Sequence, residues 1–91
     1  MTYEEALAGQ AIAETANDIA CREYRIARDA AKGSRSAKRV MALMDAEHAF
    51  DITVEALKAA NDALEGAYRT MRRVERLAAR PVAPTQCGLF A

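Results

Sequence analysis

Tryptophan is absent from this chain of 91 residues, and only five of its residues are aromatic. Large anchors for a deep core are therefore scarce. Apolar residues make up 52% of the chain, but 22 of them are alanine. A globular monomer enclosing a catalytic pocket is hard to assemble from such a set. Glycine occurs four times, proline twice and histidine once. There is no Gly-rich phosphate loop, no nucleophile elbow and no Cys/His pair. The chain is expected to be no enzyme and to need no cofactor.

Other absences narrow the setting. No window approaches the ~18 consecutive apolar residues of a membrane span. The start, Met1-Thr2-Tyr3-Glu4-Glu5, is acidic and polar where a secretory leader is basic and then apolar, so a cytoplasmic location is expected. The two cysteines, Cys21 and Cys87, show no metal-ligand spacing and read as free thiols. Thirteen basic residues balance thirteen acidic ones, so bulk charge names no partner. The alanine and arginine content suggests a bacterial or phage origin.

Helical signals, by contrast, are abundant. Thr2 and Glu5 have the spacing of a capping box. Ile12-Ala13, Ile19-Ala20 and Ile26-Ala27 then recur every seven residues, with Ala6 extending the alanine series back. Such a repeat keeps one stripe facing a partner helix. Gly33 supplies a C-terminal cap, and Ser34 and Ser36 are good N-caps for the next helix. A first helix is predicted over about 3–32 and a turn over 33–36.

The second predicted helix runs from about 36 to 80. Leu43, Phe50, Leu57, Leu64 and Met71 form one heptad series, with Ala46, Thr53, Ala60, Ala67 and Val74 three residues later. A third series, Ala42, Ala49, Ala56 and Ala63, lies beside the first. Gly66 costs ~1 kcal/mol in a helix, yet the apolar phase runs straight through it, so one continuous helix is expected. Met41, Met44 and Met71 read as gap-fillers in the core, and Cys21 as a small packing residue. Pro81 ends the helix.

A short turn makes neighbouring helices antiparallel. The predicted fold class is therefore all-α: a long, coiled-coil-like hairpin over 1–80 with a Pro-containing tail over 81–91. The second helix is the longer and overhangs the start of the first. Because a two-helix hairpin cannot cover all of its apolar stripes, pairing of two hairpins into a four-helix bundle homodimer is expected.

The neutral total hides blocks: −4 over residues 1–21, +5 over 22–39, −5 over 40–68 and +4 over 69–80. Folding the hairpin brings the acidic blocks side by side and sends the basic ones to opposite ends. Arg69, Arg73, Arg76 and Arg80 follow helical spacing and could contact phosphates, so a nucleic-acid-binding dimer is one reading. The plainer reading is a solvated face that complements the helix dipole. Neutral charge and the lack of interleaved aromatics favour the plainer one. His48, flanked by Asp45 and Asp51, reads as a solvated residue and not as a metal ligand, because Glu47 beside it points to another side of the helix.

The tail reads Pro81-Val82-Ala83-Pro84-Thr85-Gln86-Cys87-Gly88-Leu89-Phe90-Ala91. Two prolines stiffen an extended linker, and two large apolar residues stand beyond the heptad core. They serve a partner, fold back onto the bundle, or belong to an unstructured tail. Gln86-Cys87-Gly88-Leu89-Phe90 resembles the short peptide with which bacterial proteins bind the replicative sliding clamp, commonly Q-L-[SD]-L-F. The resemblance covers five residues and departs from the pattern at Cys87 and Gly88. It implies Gln86 as a polar anchor and Leu89 and Phe90 as apolar anchors in the clamp's cleft, the hot-spot arrangement of a short peptide. A clamp-docking accessory protein is one expected function. An inhibitor or adaptor that grips another protein with its helical faces is the other.

Overall fold

The computed structural model describes residues 1–79. Among them the chain forms two helices, α1 over Tyr3–Ala31 and α2 over Ala37–Ala79, packed along each other as an all-α hairpin. Their lengths, 29 and 43 residues, correspond to about 43 and 64 Å. The tail and its expected anchors Gln86, Leu89 and Phe90, together with Arg80 and Cys87, lie outside the described residues.

Local chemistry sets both ends of α1. The Glu5 amide donates to Thr2 Oγ1 at 3.1 Å, and the Thr2 amide donates to Glu5 Oε1 at 2.8 Å, a complete capping box. Two orphan donors of the first turn are thereby satisfied. At the other end Gly33 takes φ +70°, a left-handed conformation that costs a glycine little. The Ser34 amide then reaches back to the Ala31 carbonyl at 3.0 Å. Ser36 Oγ accepts from the Arg39 amide at 3.4 Å and opens α2. From there α2 runs unbroken through Gly66.

The seam between the helices has a large side and a small side. On α2 it is Leu43, Phe50, Leu57, Leu64 and Met71, interleaved with Ala46, Thr53, Ala60 and Ala67, all half-buried. On α1 it is Ala6, Ala13, Ala20 and Ala27, with Ala6 only 3% and Ala20 only 6% exposed. Small residues on one helix leave room for branched and aromatic ones on the other.

Interleaved with those alanines are Tyr3, Gln10, Asn17, Tyr24 and Ala31, also half-buried. This second α1 series is aromatic and polar. Tyr24 stacks on Phe50 with ring centroids 5.7 Å apart, and Tyr3 tilts against Tyr68 at 6.0 Å. The contact of Tyr3 with Tyr68 marks where α1 begins along α2. Beyond Met71 every described residue of α2 is exposed, so its last two turns overhang. Val74, the last member of its heptad series, is exposed there for lack of an opposing helix.

Candidate interaction face

The isoleucines of α1 do not lie on the seam. Ile12, Ile19 and Ile26 are 71%, 43% and 69% exposed, whereas the alanine that follows each is buried or half-buried. The expectation of one stripe containing both is corrected. Successive residues of a helix are about 100° apart, so an adjacent Ile-Ala pair cannot face one partner. The alanines win the seam because α2 brings the bulk to it.

Each isoleucine belongs instead to a second seven-residue series. Gly9, Ile12, Ala16 and Ile19 step along α1 by three and four residues, and Ile26 and Ala30 continue the row beyond Glu23. On α2 the matching row is Ala49, Ile52, Ala56, Ala59, Ala63, Gly66 and Thr70. Both rows flank the seam on the same side. A shallow groove confirms this, since Gly9 of α1 lines it together with Ala59 and Ala63 of α2. A second groove runs along Ile12, Ala16 and Ile19. From Gly9 to Ile19 and from Ala49 to Thr70 these rows hold no charged residue.

The other side of the hairpin is different. There the same helical spacing places Glu14, Asp18, Arg25 and Arg28 of α1, and Glu47, Asp51, Lys58 and Glu65 of α2. Most of the charge flanking the seam thus lies on one side, where Leu7, Val54 and Tyr68 interrupt it, while the rows on the other side are apolar between Glu5 and Glu23 of α1 and between Asp45 and Thr70 of α2. Contiguous exposed apolar surface of this kind marks a contact site.

Further expectations are revised by position. Met41 and Met44 are each 63% exposed and fill no core gap, because they stand off the seam near the turn, while Met71 is half-buried on it. Cys21 is half-buried and is a free thiol. Arg69, Arg73 and Arg76 are exposed around the overhang, and Arg69 forms an ion pair with Glu65 at 3.5 Å. His48 is exposed, and among the described residues no three His, Cys, Asp or Glu side chains converge to hold a metal ion. No described helix is long and apolar enough to cross a membrane.

Among the described residues the capping box alters the acidity of a carboxyl. Hydrogen bonds from the Thr2 backbone amide and then from the Thr2 side chain hold the Glu5 carboxyl below its ordinary value of 4.5. This is a structural device at a helix end and not a reacting group.

No known protein family, curated protein or solved structure matches the chain.

Proposed function

We propose that the protein is a non-enzymatic, cytoplasmic interaction protein that works as a homodimer and makes its contacts through the apolar face of the hairpin. The observation that carries this reading is the row of exposed isoleucines Ile12, Ile19 and Ile26, on a face whose central part lacks charge. Fully covering one such side chain is worth about 1.5–3 kcal/mol, so three of them exposed in register amount to a surface built to be covered. The test is recovery of the tagged chain from its own cells with whatever it binds. The Ile12→Asp/Ile19→Asp variant is expected to lose its bound protein, and a chain lacking residues 81–91 is expected to keep it. The reverse pattern overturns the reading.

The reverse pattern is also what a second reading predicts. Gln86-Cys87-Gly88-Leu89-Phe90 supports docking of the tail on a bacterial sliding clamp, as in an accessory protein of bacterial or phage origin. Two tails per dimer would engage a ring with repeated pockets, and avidity would offset the departures at Cys87 and Gly88. Purified clamp is expected to bind the full chain and to lose the Leu89→Ala/Phe90→Ala variant. Equal binding of both would sink this reading.

A further inference from the structure

We infer that the occupant of the apolar face is a second copy of this chain, laid antiparallel across a two-fold axis through Ile19 and Ile52, with the two turns at opposite ends. The inference rests on the reading of that face as the contact surface of a homodimer and adds its symmetry and register.

Symmetry is the first argument. In a two-fold contact, if one residue meets another, the second must meet the first across the axis. The series Ile12, Ile19, Ile26 is palindromic about its middle member. An antiparallel copy therefore sets Ile19 on its own counterpart and Ile12 on the counterpart of Ile26.

The hairpin register supplies a second, separate coincidence. Thr53 Oγ1 of α2 lies 3.1 Å from Asn17 Oδ1 of α1. Counting from that contact, the level of Ile19 on α1 falls within a residue of Ile52 on α2. The same axis thus sets Ile52 on its own counterpart. Four isoleucines, two from each copy, form one layer at the centre.

Charge then chooses between the two possible two-fold axes. With the axis perpendicular to the helices, α1 lies on the partner's α1 in the opposite direction. The acidic block of residues 1–21 faces the basic block of residues 22–39, −4 against +5. With the axis parallel to the helices, α1 lies on the partner's α2 and the −4 block faces the −5 block of residues 40–68. Along α2 the first arrangement sets one acidic block on its own counterpart, but the second brings −4 against −5 twice, so the first keeps the better balance of blocks. Most of these charges, on α1 as on α2, stand on the far face or the rim, and Asp45 lies in the α2 row itself, one heptad before Ile52.

Area agrees. The shared length is about 40 Å and the hairpin is 16 Å across. Two such faces together bury about 1,300 Å², within the range of stable specific interfaces.

The test is cysteine crosslinking with sedimentation equilibrium, in the full chain carrying Cys21→Ser and Cys87→Ser. Under mild oxidation Ile19→Cys is expected to give a covalent dimer. Ile12→Cys alone is expected to give none, and a mixture of Ile12→Cys with Ile26→Cys is expected to give the mixed dimer. Circular dichroism checks that each variant keeps its helices. The Ile19→Asp variant is expected to weaken dimerisation at least ~100-fold, since both copies lose a buried isoleucine. A dimer without the Ile19→Cys crosslink overturns the antiparallel arrangement and leaves the contact face standing. A dimer that Ile19→Asp does not weaken overturns both the arrangement and the face. A chain that sediments as a monomer overturns the second copy as occupant, while recovery of the tagged chain with its bound protein continues to decide the face.

Discussion

Thr53 Oγ1 on α2 lies 3.1 Å from Asn17 Oδ1 on α1, and 2.8 Å from the Phe50 carbonyl oxygen of its own helix. The hydroxyl has one proton, which serves one of these oxygens at a time. Among the described residues this is the side chain to side chain hydrogen bond that joins the two helices. It sits midway along α1, in a seam made mainly of alanine, leucine and aromatic rings. A polar pair within an apolar seam penalises every register in which the two groups do not meet.

Asn17→Ala and Thr53→Val are each expected to lower stability by about 1 kcal/mol, because each strands the remaining partner in a half-buried position. Asn17→Leu combined with Thr53→Val is expected to recover that loss and to melt over a broader range, since the register device is gone. Thermal denaturation followed by circular dichroism measures both. Equal sharpness in the double variant would show that the pair does not define the register.

Neighbouring residues of α1 are expected to respond in opposite ways. Ala20→Leu forces bulk into a seam where Ala20 is almost wholly buried, and overpacking of this kind costs about 1–3 kcal/mol. Ile19→Ser, one residue earlier, leaves the seam untouched and acts on association. Its melting temperature is expected to be independent of protein concentration, whereas the proposed dimer makes that of the wild-type chain rise with concentration. Melting curves at several concentrations separate the two effects.

The capping box makes the start of α1 sensitive to acid. The folded-state acidity constant of Glu5 lies below its ordinary value of 4.5, so its contribution is fully present above that value. It is lost as the pH falls through the lower, folded-state value. Protection of the first-turn amides of α1, taken relative to their intrinsic exchange rate at each pH, is therefore expected to fall on acidification before that of the rest of the helix. Thr2→Ala, which removes the cap oxygen, is expected to cost about 1 kcal/mol, whereas Glu5→Gln, which removes the titrating carboxyl that the Thr2 amide holds, is expected to abolish this local pH dependence. First-turn protection unchanged across that range would contradict the assignment.

Two glycines are expected to give opposite signs. A β-carbon at Gly66 meets nothing within 4 Å and lies in regular helix, so Gly66→Ala is expected to raise stability by about 0.5–1 kcal/mol. Gly33 has as much space around it but a φ of +70°. Gly33→Ala is expected to lower stability by about 1–2 kcal/mol. Urea titrations of the two variants check both values.

Much of the architecture was legible from local signals. The capping pair Thr2 and Glu5, the turn at Gly33 to Ser36 and the unbroken apolar phase through Gly66 need only neighbouring residues to be read. The seam of α2 was legible too, because Leu43, Phe50, Leu57 and Leu64 are large, apolar and regularly spaced. Gln10 and Asn17 were not, since a search for apolar repeats passes over amides. Their signal was the alanine series itself, which demands a second series interleaved three or four residues away.

What the sequence determined by itself is therefore the existence of two helices, their turn, and alternating charge blocks beneath a neutral total. Which member of each Ile-Ala pair faces inward was decided only when α2 was laid against α1. Both residues are apolar and repeat every seven positions, so periodicity ranks them equally. The bulk of Leu57, Phe50 and Leu64 leaves room for alanine and not for isoleucine. That difference in size turns Ile12, Ile19 and Ile26 outward, and with them the apolar face of the hairpin.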